Sequence, residues 1–241
     1  MLDFHCHILP SIDDGSKDPD MSVSMLREEM NQGVTGIVLT PHFYADMTDP
    51  DTFVRRRKES SQRLAERMFE EGEDHEWPAM LLGAEVHYYR GISRSEEIRR
   101  LCIGRSNYML LELPFREWHP GIVDEIEALE ANQDIRVIIA HIERYLDRDR
   151  KTIKRIVEDT DFLIQSNAEF FLERRTARKA MNMLKDGKID LLGSDAHNVS
   201  SRRPDLGDCA AFIESKGGSI MLQRVDKTAL EIFSEAGREI K

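Results

Sequence analysis

The sequence predicts one α/β domain, a closed or nearly closed βα barrel, with an open doubly wound sheet as the structural alternative. Short apolar runs alternate with helical patterns about seven times along the chain. No linker, composition shift or repeat divides the 241 residues, so 1–241 reads as one domain. Polar, ligand-competent residues stand at the ends of the apolar runs, where barrel enzymes carry their functional groups.

Residues 2–7 form the first expected strand. Asp18-Pro19 then opens a helix through Met30 that Gly33 ends, a cap and a stop in their usual places. Residues 34–40, apolar and β-branched, predict a buried strand, and 49–72 a long charged helix. Strands follow at 79–86, 108–113, 137–140, 162–165 and 189–193. Helices are expected at 93–101, where Ser93 and Glu96 form a capping box, and at 120–132, 151–159, 174–186 and 205–216. A last short apolar run, 219–222, is expected to be a strand before a helix from Lys227.

The composition is that of a globular protein, with 40% hydrophobic residues. Its net charge of −11 argues against nonspecific nucleic-acid binding, which needs a basic surface. It leaves room for an anionic substrate at a locally positive site. Three scattered cysteines make no disulfide framework and fit a reducing cytosol. Without a leader pattern or a long apolar run, a soluble, cytoplasmic protein and not a membrane protein is expected.

His5 and His7, two apart on a strand, leave it on one face, and Asp13, Asp14 and a turn at Gly15 follow. Further along, Thr40-Pro41-His42, Glu85, Glu112, His141 to Arg144, Ser166-Asn167 and Ser194 to Asn198 end successive strands. Five of the eight histidines lie at such ends, a concentration that points to metal ligation. Nine candidate ligands exceed one tetrahedral site but suit two or three ions sharing a carboxylate. Imidazole and carboxylate without thiolate permit manganese, iron or zinc. The excess positive charge of such a centre would draw in a phosphate dianion.

The segments Asp3-Phe-His-Cys-His-Ile-Leu-Pro-Ser-Ile-Asp-Asp-Gly15, Thr40-Pro-His42, Gly83-Ala-Glu85, Glu112-Leu-Pro114, Ala140-His-Ile-Glu-Arg-Tyr145, Ser194-Asp-Ala-His-Asn198 and Arg202-Arg-Pro204 resemble the PHP superfamily. Within it they resemble the metal-dependent protein-tyrosine phosphatases of bacterial capsular and exopolysaccharide loci. The resemblance implies a distorted (βα)7 TIM-like barrel holding three divalent ions, manganese foremost, with iron or zinc possible. It assigns His5, His7, Glu85 and Asp195 to one ion. Glu85, Glu112 and His141 would hold the second, and Asp14, His42 and His197 the third. It points to Arg144 and Arg202 as phosphate contacts, with Arg203 an alternative to Arg202. It also implies a substrate, the phosphotyrosine-bearing tail of a bacterial tyrosine kinase, attacked by a metal-activated water, with Asp195 and His197 in the catalytic set.

A phenolate leaves readily, its conjugate acid having a pKa near 10, so a strong general acid is less necessary for phosphotyrosine than for phosphoserine; His197 or the third ion would assist departure. The thiol route needs Arg six positions after Cys. Cys6, Cys102 and Cys209 are followed there by Ile12, Tyr108 and Ser215, which excludes it. Cys6, on the opposite face from the histidines, is expected to pack. His75 is expected in a solvated loop, His87 in a hydrogen bond and His119 mainly in packing, with a contact at the rim as its alternative. Arg55-Arg56-Arg57-Lys58 reads as a solvated helix face balanced by Glu59, Glu66, Glu70 and Glu71, with a docking patch for an acidic tail as the alternative. Competing functions are a small-molecule phosphomonoesterase, such as a histidinol-phosphate phosphatase, and a non-catalytic metal-stabilised interaction domain. The oligomeric state is left open.

Overall fold

Two helices begin where Asp-Pro dictates. In the computed structural model, which describes residues 1–72, 76–95, 97–116 and 118–237, Asp18 caps α1 (Pro19–Asn31) by accepting from Met21 N at 2.8 Å. Asp49 caps α2 (Pro50–Glu70) through Thr52 N at 2.9 Å. Each proline occupies the first turn, where a missing N–H costs nothing. Gly33, with φ of 80°, follows the end of α1 in a backbone conformation that suits glycine.

The strands are β1 (Leu2–Cys6), β2 (Gly36–Leu39), β3 (His42–Phe43), β4 (Ala79–Leu82), β5 (Glu85–His87), β6 (Tyr108–Glu112), β7 (Arg136–Ile139), β8 (Leu163–Asn167) and β9 (Leu191–Gly193). All recorded pairings are parallel. One sheet runs β1-β2-β4, the other β3-β5-β6-β7-β8-β9. The single strands expected at 34–40 and 79–86 are each interrupted, at Thr40-Pro41 and Gly83-Ala84. Pro41 has no N–H to give a ladder. Gly83 N donates to Leu39 O and Glu85 N to Pro41 O, so the backbone continues across both breaks. At the far edge, Asp195 N donates to His5 O at 2.6 Å and His7 N to Ala196 O at 2.8 Å.

Three elements differ from expectation. Region 93–101 is not an α-helix but two short 3-10 turns, Ile92–Arg94 and Ile98–Leu101; Glu96, the expected capping partner, lies outside the described residues, as does His75. A short helix, α5 (Glu169–Leu172), precedes α6 (Ala177–Lys185). The run 219–222 is not a strand: it opens α8 (Ser219–Ala236). Its buried positions Leu222, Val225, Ala229, Ile232 and Ala236 recur at three- and four-residue intervals, a helical stripe. The remaining helices, α3 (Ile122–Gln133), α4 (Arg150–Glu158) and α7 (Leu206–Ser215), lie where the sequence puts them to within a few residues.

That stripe has a function in the fold. Ala229, Ile232 and Ala236 join Phe4, Val38, Leu110, Ile138 and Leu191 in one buried apolar cluster. Two residues beyond Val38 and Leu110 in the chain stand Thr40 and Glu112, both polar. One sheet face is thus apolar beneath α8 and turns polar toward the strand ends. In β1 the register against β2 shifts between Asp3 and Cys6. Such an irregularity lets successive residues serve one side: Phe4 enters the apolar cluster while His5 faces Glu85 at 3.2 Å.

Candidate metal centre

Residues at or just beyond the ends of β1, β2, β4, β6, β7 and β9 gather into one largely buried cluster of imidazoles and carboxylates. His5 Nε2 and His7 Nε2 lie 3.2 Å apart, and each is 3.2 Å from Glu85 Oε2. Asp195 Oδ1 stands 3.7 and 3.4 Å from the same two nitrogens. The other oxygen of Glu85 faces His141 Nε2 at 2.7 Å, which is itself 3.5 Å from Glu112 Oε1. His42 reaches Glu85 through Nδ1 at 2.9 Å and Asp14 Oδ1 through Nε2 at 3.5 Å. His197 Nε2 is 3.6 Å from Asp14. All nine residues singled out from the sequence therefore meet, Glu85 joining the groups around His5 and His141. Asp14 is the outer member, its side chain 68% exposed.

The cluster can be divided among ions in more than one way. Ligand atoms converge within 4.8 Å in three overlapping sets: His5, His7 and Asp195; His7, His42 and His197; and His42, Glu85 and Glu112. His42 thus pairs with Glu112 as well as with His197. His7 stacks closely on His197, with ring centroids 3.9 Å apart.

The residues fit metal ions by their own unsatisfied chemistry. Glu85 Oε2, His42 Nδ1, His141 Nδ1 and His197 Nε2 are buried and make no hydrogen bond; the 2.9 Å approach of His42 to Glu85 lacks the angle for one. Buried polar atoms are rarely orphaned, and three of these face the cluster: His42 Nδ1 and Glu85 Oε2 face each other, and His197 Nε2 faces Asp14. Cys6 turns away, its thiol donating to Val38 O at 3.6 Å, so the ligand set is imidazole and carboxylate alone.

Charge is correspondingly shared. Burial by itself would raise the Glu85 carboxyl, but His5, His141 and His42 hold it well below the usual carboxylate range. Asp195 likewise resists burial and stays well below its ordinary value beside His5 and His7. Burial opposes charge on His141, yet Glu112 and Glu85 raise its imidazole to about 9. His197 goes the other way, to about 4, through burial and the charge on His7.

A further set of residues fixes the ligands, as metal sites require. Asp13 Oδ2 accepts from His42 N at 3.0 Å and lies 2.8 Å from His7 Nδ1. Gln165 Oε1 lies 3.3 Å from His5 Nδ1 and accepts from His141 N at 2.7 Å. Gln165 Nε2 donates to Asn167 Oδ1, and Asn167 Nδ2 to Asp195 Oδ2 at 2.9 Å. Asn167 thus hydrogen-bonds one of the candidate ligands. Asp3 accepts from His5 N, Ser194 N and Ser194 Oγ, tying β1 to the segment after β9. The sequence reading gave Gln165 and Asp3 no role. For Gln165 the signal was available: Gln165 and Asn167, like His5 and His7, are two apart on a strand and share a face.

Both expected arginines meet Asp195. Arg144 pairs with its Oδ2, and Arg202 Nη2 lies 2.9 Å from its Oδ1. Arg203 pairs with Asp208 at 2.7 Å. Arg144 and Arg202 line, with Arg203, Asn167, Ser200 and Ser201, a cleft of about 180 Å³ beside Asp195. His87 hydrogen-bonds Glu112 Oε2 at 2.8 Å, in its expected role. His119 sits in a local network with Tyr88 and Glu125, apart from the cluster. The run 55–58 is not one solvated face. Arg57 is buried, donates to Gly83 O and Arg100 O and lies over the Phe53 ring. Among the expected partners Glu70 and Glu71 pair with Arg67 instead.

The family model for capsular polysaccharide synthesis, CpsB/CapC, matches residues 1–231. The chain belongs to the CpsB/CapC family. Among its relatives, the tyrosine-protein phosphatase CpsB of Streptococcus pneumoniae is 28% identical over 255 aligned residues, covering 100% of this chain and 98% of its own. The tyrosine-protein phosphatase YwqE of Bacillus subtilis is 25% identical, over 91% of this chain and 86% of its own. The fold of this CpsB/CapC chain is shared with a solved structure from work on YwqE of Bacillus subtilis and CpsB of Streptococcus pneumoniae, described as unique metal-dependent tyrosine phosphatases. The TM-score is 0.80 at 23% identity, over 95% of this chain and 93% of the other.

Proposed function

We propose that this chain is a metal-dependent protein-tyrosine phosphatase. Its substrate is the phosphorylated tail of a bacterial tyrosine kinase that governs capsule or exopolysaccharide synthesis, and its setting is the cytoplasm. The carrying observation is the convergence of nine ligand-competent side chains, four histidines of them on Glu85, beside two arginines at Asp195. Family membership and the activity named for the relatives support it. The two sheets read as one distorted (βα)7 barrel in a single domain, since backbone bonds cross both strand breaks and link β1 to the chain after β9.

His5, His7, Asp14, His42, Glu85, Glu112, His141, Asp195 and His197 would hold three divalent ions, manganese foremost. Such ions supply Lewis acidity and make water a nucleophile at neutral pH. The protein's own groups do the rest. Arg144 and Arg202 reach the phosphoryl oxygens from the cleft, and planar guanidinium groups suit that task. Asp195 holds both in position before substrate arrives, so little ordering remains to be done in the transition state. Phe115, partly exposed and stacked on His141 at 6.1 Å, offers a wall for the phenyl ring. The phenolate departs without a strong acid.

Purified protein supplied with manganese should release phosphate from phosphotyrosine peptides. Chelator, or Asp195→Asn, should cut that rate by about a hundredfold or more. Turnover of histidinol phosphate orders of magnitude faster than any phosphopeptide would transfer the assignment to a small-molecule phosphatase.

A further inference from the structure

A wide groove lies outside the metal centre, between α6 and the junction of α7 with α8. It encloses about 800 Å³. Met181, Phe212 and Met221 form an apolar floor, and Leu172 closes one end. Arg174, Arg178, Lys185 and Lys216 stand on its rim, and no acidic residue lines it. That is unusual on a chain of net charge −11. Arg27, Arg67, Arg99, Arg100 and Arg155 are held in ion pairs, while other cations outside the groove, such as Arg55, Arg105 and Lys151, are not; what sets the groove apart is four cations gathered around one apolar floor. None of the four rim cations has an ion-pair partner among the described residues. Lys216 instead lies over the Phe212 ring at 5.4 Å.

The groove opens toward the site. Leu172, 37% exposed at the end of α5, also lines the cleft of Arg144, Arg202 and Asp195. Cleft and groove therefore adjoin at Leu172, with Glu169 and Asp205 on the cleft side. An apolar floor rewards burial of large side chains, and unpaired cations around it favour carboxylates. A purely apolar ligand would leave the cations without a purpose.

We propose that this groove is a docking site for an acidic peptide segment with interspersed large apolar side chains, continuous with the phosphorylated tyrosine. The inference deepens the phosphatase reading and rests on it for the tyrosine alone. The local positive rim offsets the repulsion between an acidic protein and an acidic phosphopeptide, and the floor sets the spacing between tyrosine and anchor.

Binding tests the groove without any catalysis. A fluorescein-labelled, unphosphorylated peptide alternating Glu with Phe and Leu should bind the full chain by anisotropy, more weakly as salt rises. Arg178→Glu with Lys185→Glu, both exposed positions, should weaken it about tenfold or more. For a phosphotyrosine peptide with the same flank, the double variant should raise KM by a similar factor and leave kcat, and turnover of p-nitrophenyl phosphate, unchanged. Equal affinity in wild type and variant, equal affinity for a Gln-for-Glu peptide, or no binding at all overturns the groove. So does association with anionic vesicles, or self-association, that the same charge reversal abolishes while peptide binding persists. Failure of wild type to turn over any aryl phosphate overturns the phosphatase reading, and the anisotropy result stands separately.

Discussion

His141 and Asp195 adopt left-handed backbone conformations, with φ of 32° and 52°. Residues other than glycine rarely do so, and the cost is of order 1–3 kcal/mol each. The surrounding hydrogen bonds enforce it: Gln165 holds His141 N, and His5 O holds Asp195 N. Two glycines act by close approach instead. A Cβ on Gly193 would stand 2.6 Å from His5 Cβ, and one on Gly15 would stand 2.3 Å from His7 O. Gly15 is therefore required for packing, where the sequence suggested a turn. Gly193→Ala should push His5 out of line, costing about 1–3 kcal/mol in denaturant melts and lowering metal content measured by elemental analysis. Asp14, exposed and touching His42 and His197, has little structural work. Asp14→Ala should remove about one ion per chain and leave the melting curve within about 0.5 kcal/mol of wild type; an unchanged metal content would remove Asp14 from the ligand set.

At the scale of elements, the strand breaks are what aim the ligands. The interruption after β4 brings Glu85 to the centre of the cluster, and its Gly83 carbonyl is capped by Arg57 from α2. Burial lowers the Arg57 guanidinium to about 10, still fully charged at neutral pH. Arg57→Ala should leave two carbonyls short of a donor and cost about 2–3 kcal/mol, read by urea denaturation. A cost near zero would make the break self-supporting. α8 shows the limit of a local reading. Residues 219–222 are apolar enough for a strand, but only the whole run to Ala236 displays the helical stripe, and only packing shows what it covers.

Across the whole molecule, a half-buried acidic group links stability to pH. Asp205 is pushed up to about 7 by burial and by the charges of Asp3 and Glu169, and its Oδ1 has no hydrogen-bond partner. Its folded pKa exceeds the unfolded value, so the unfolded chain loses this proton first. Its contribution to stability is complete below about pH 4 and is lost as pH rises through about 7. Asp205→Asn should match wild type near pH 4 and exceed it by roughly 2 kcal/mol near pH 8, after a discount for partial solvent access. Parallel melts at the two pH values check this; a constant difference would assign the effect to packing. No helix among the described residues is long and apolar enough to cross a membrane.

The ligand residues were legible because strand periodicity and residue chemistry are local. His5 and His7 had to share a face, and polar residues at the ends of apolar strands had to converge if those strands lay parallel. The partition of ligands was not legible, nor were Asp3 and Gln165 as positioners or the burial of Arg57 inside a basic run. Each depends on contacts between residues far apart in sequence, such as Gln165 with His5 or Arg57 with Gly83. The sequence by itself determined which side chains can bind metal and on which strands they stand, because hydrophobic period and side-chain chemistry are properties of neighbours. Only the tertiary structure decided which of them meet, which backbone is strained to bring them there, and where an unpaired basic rim borders the site, because those follow from packing between distant segments.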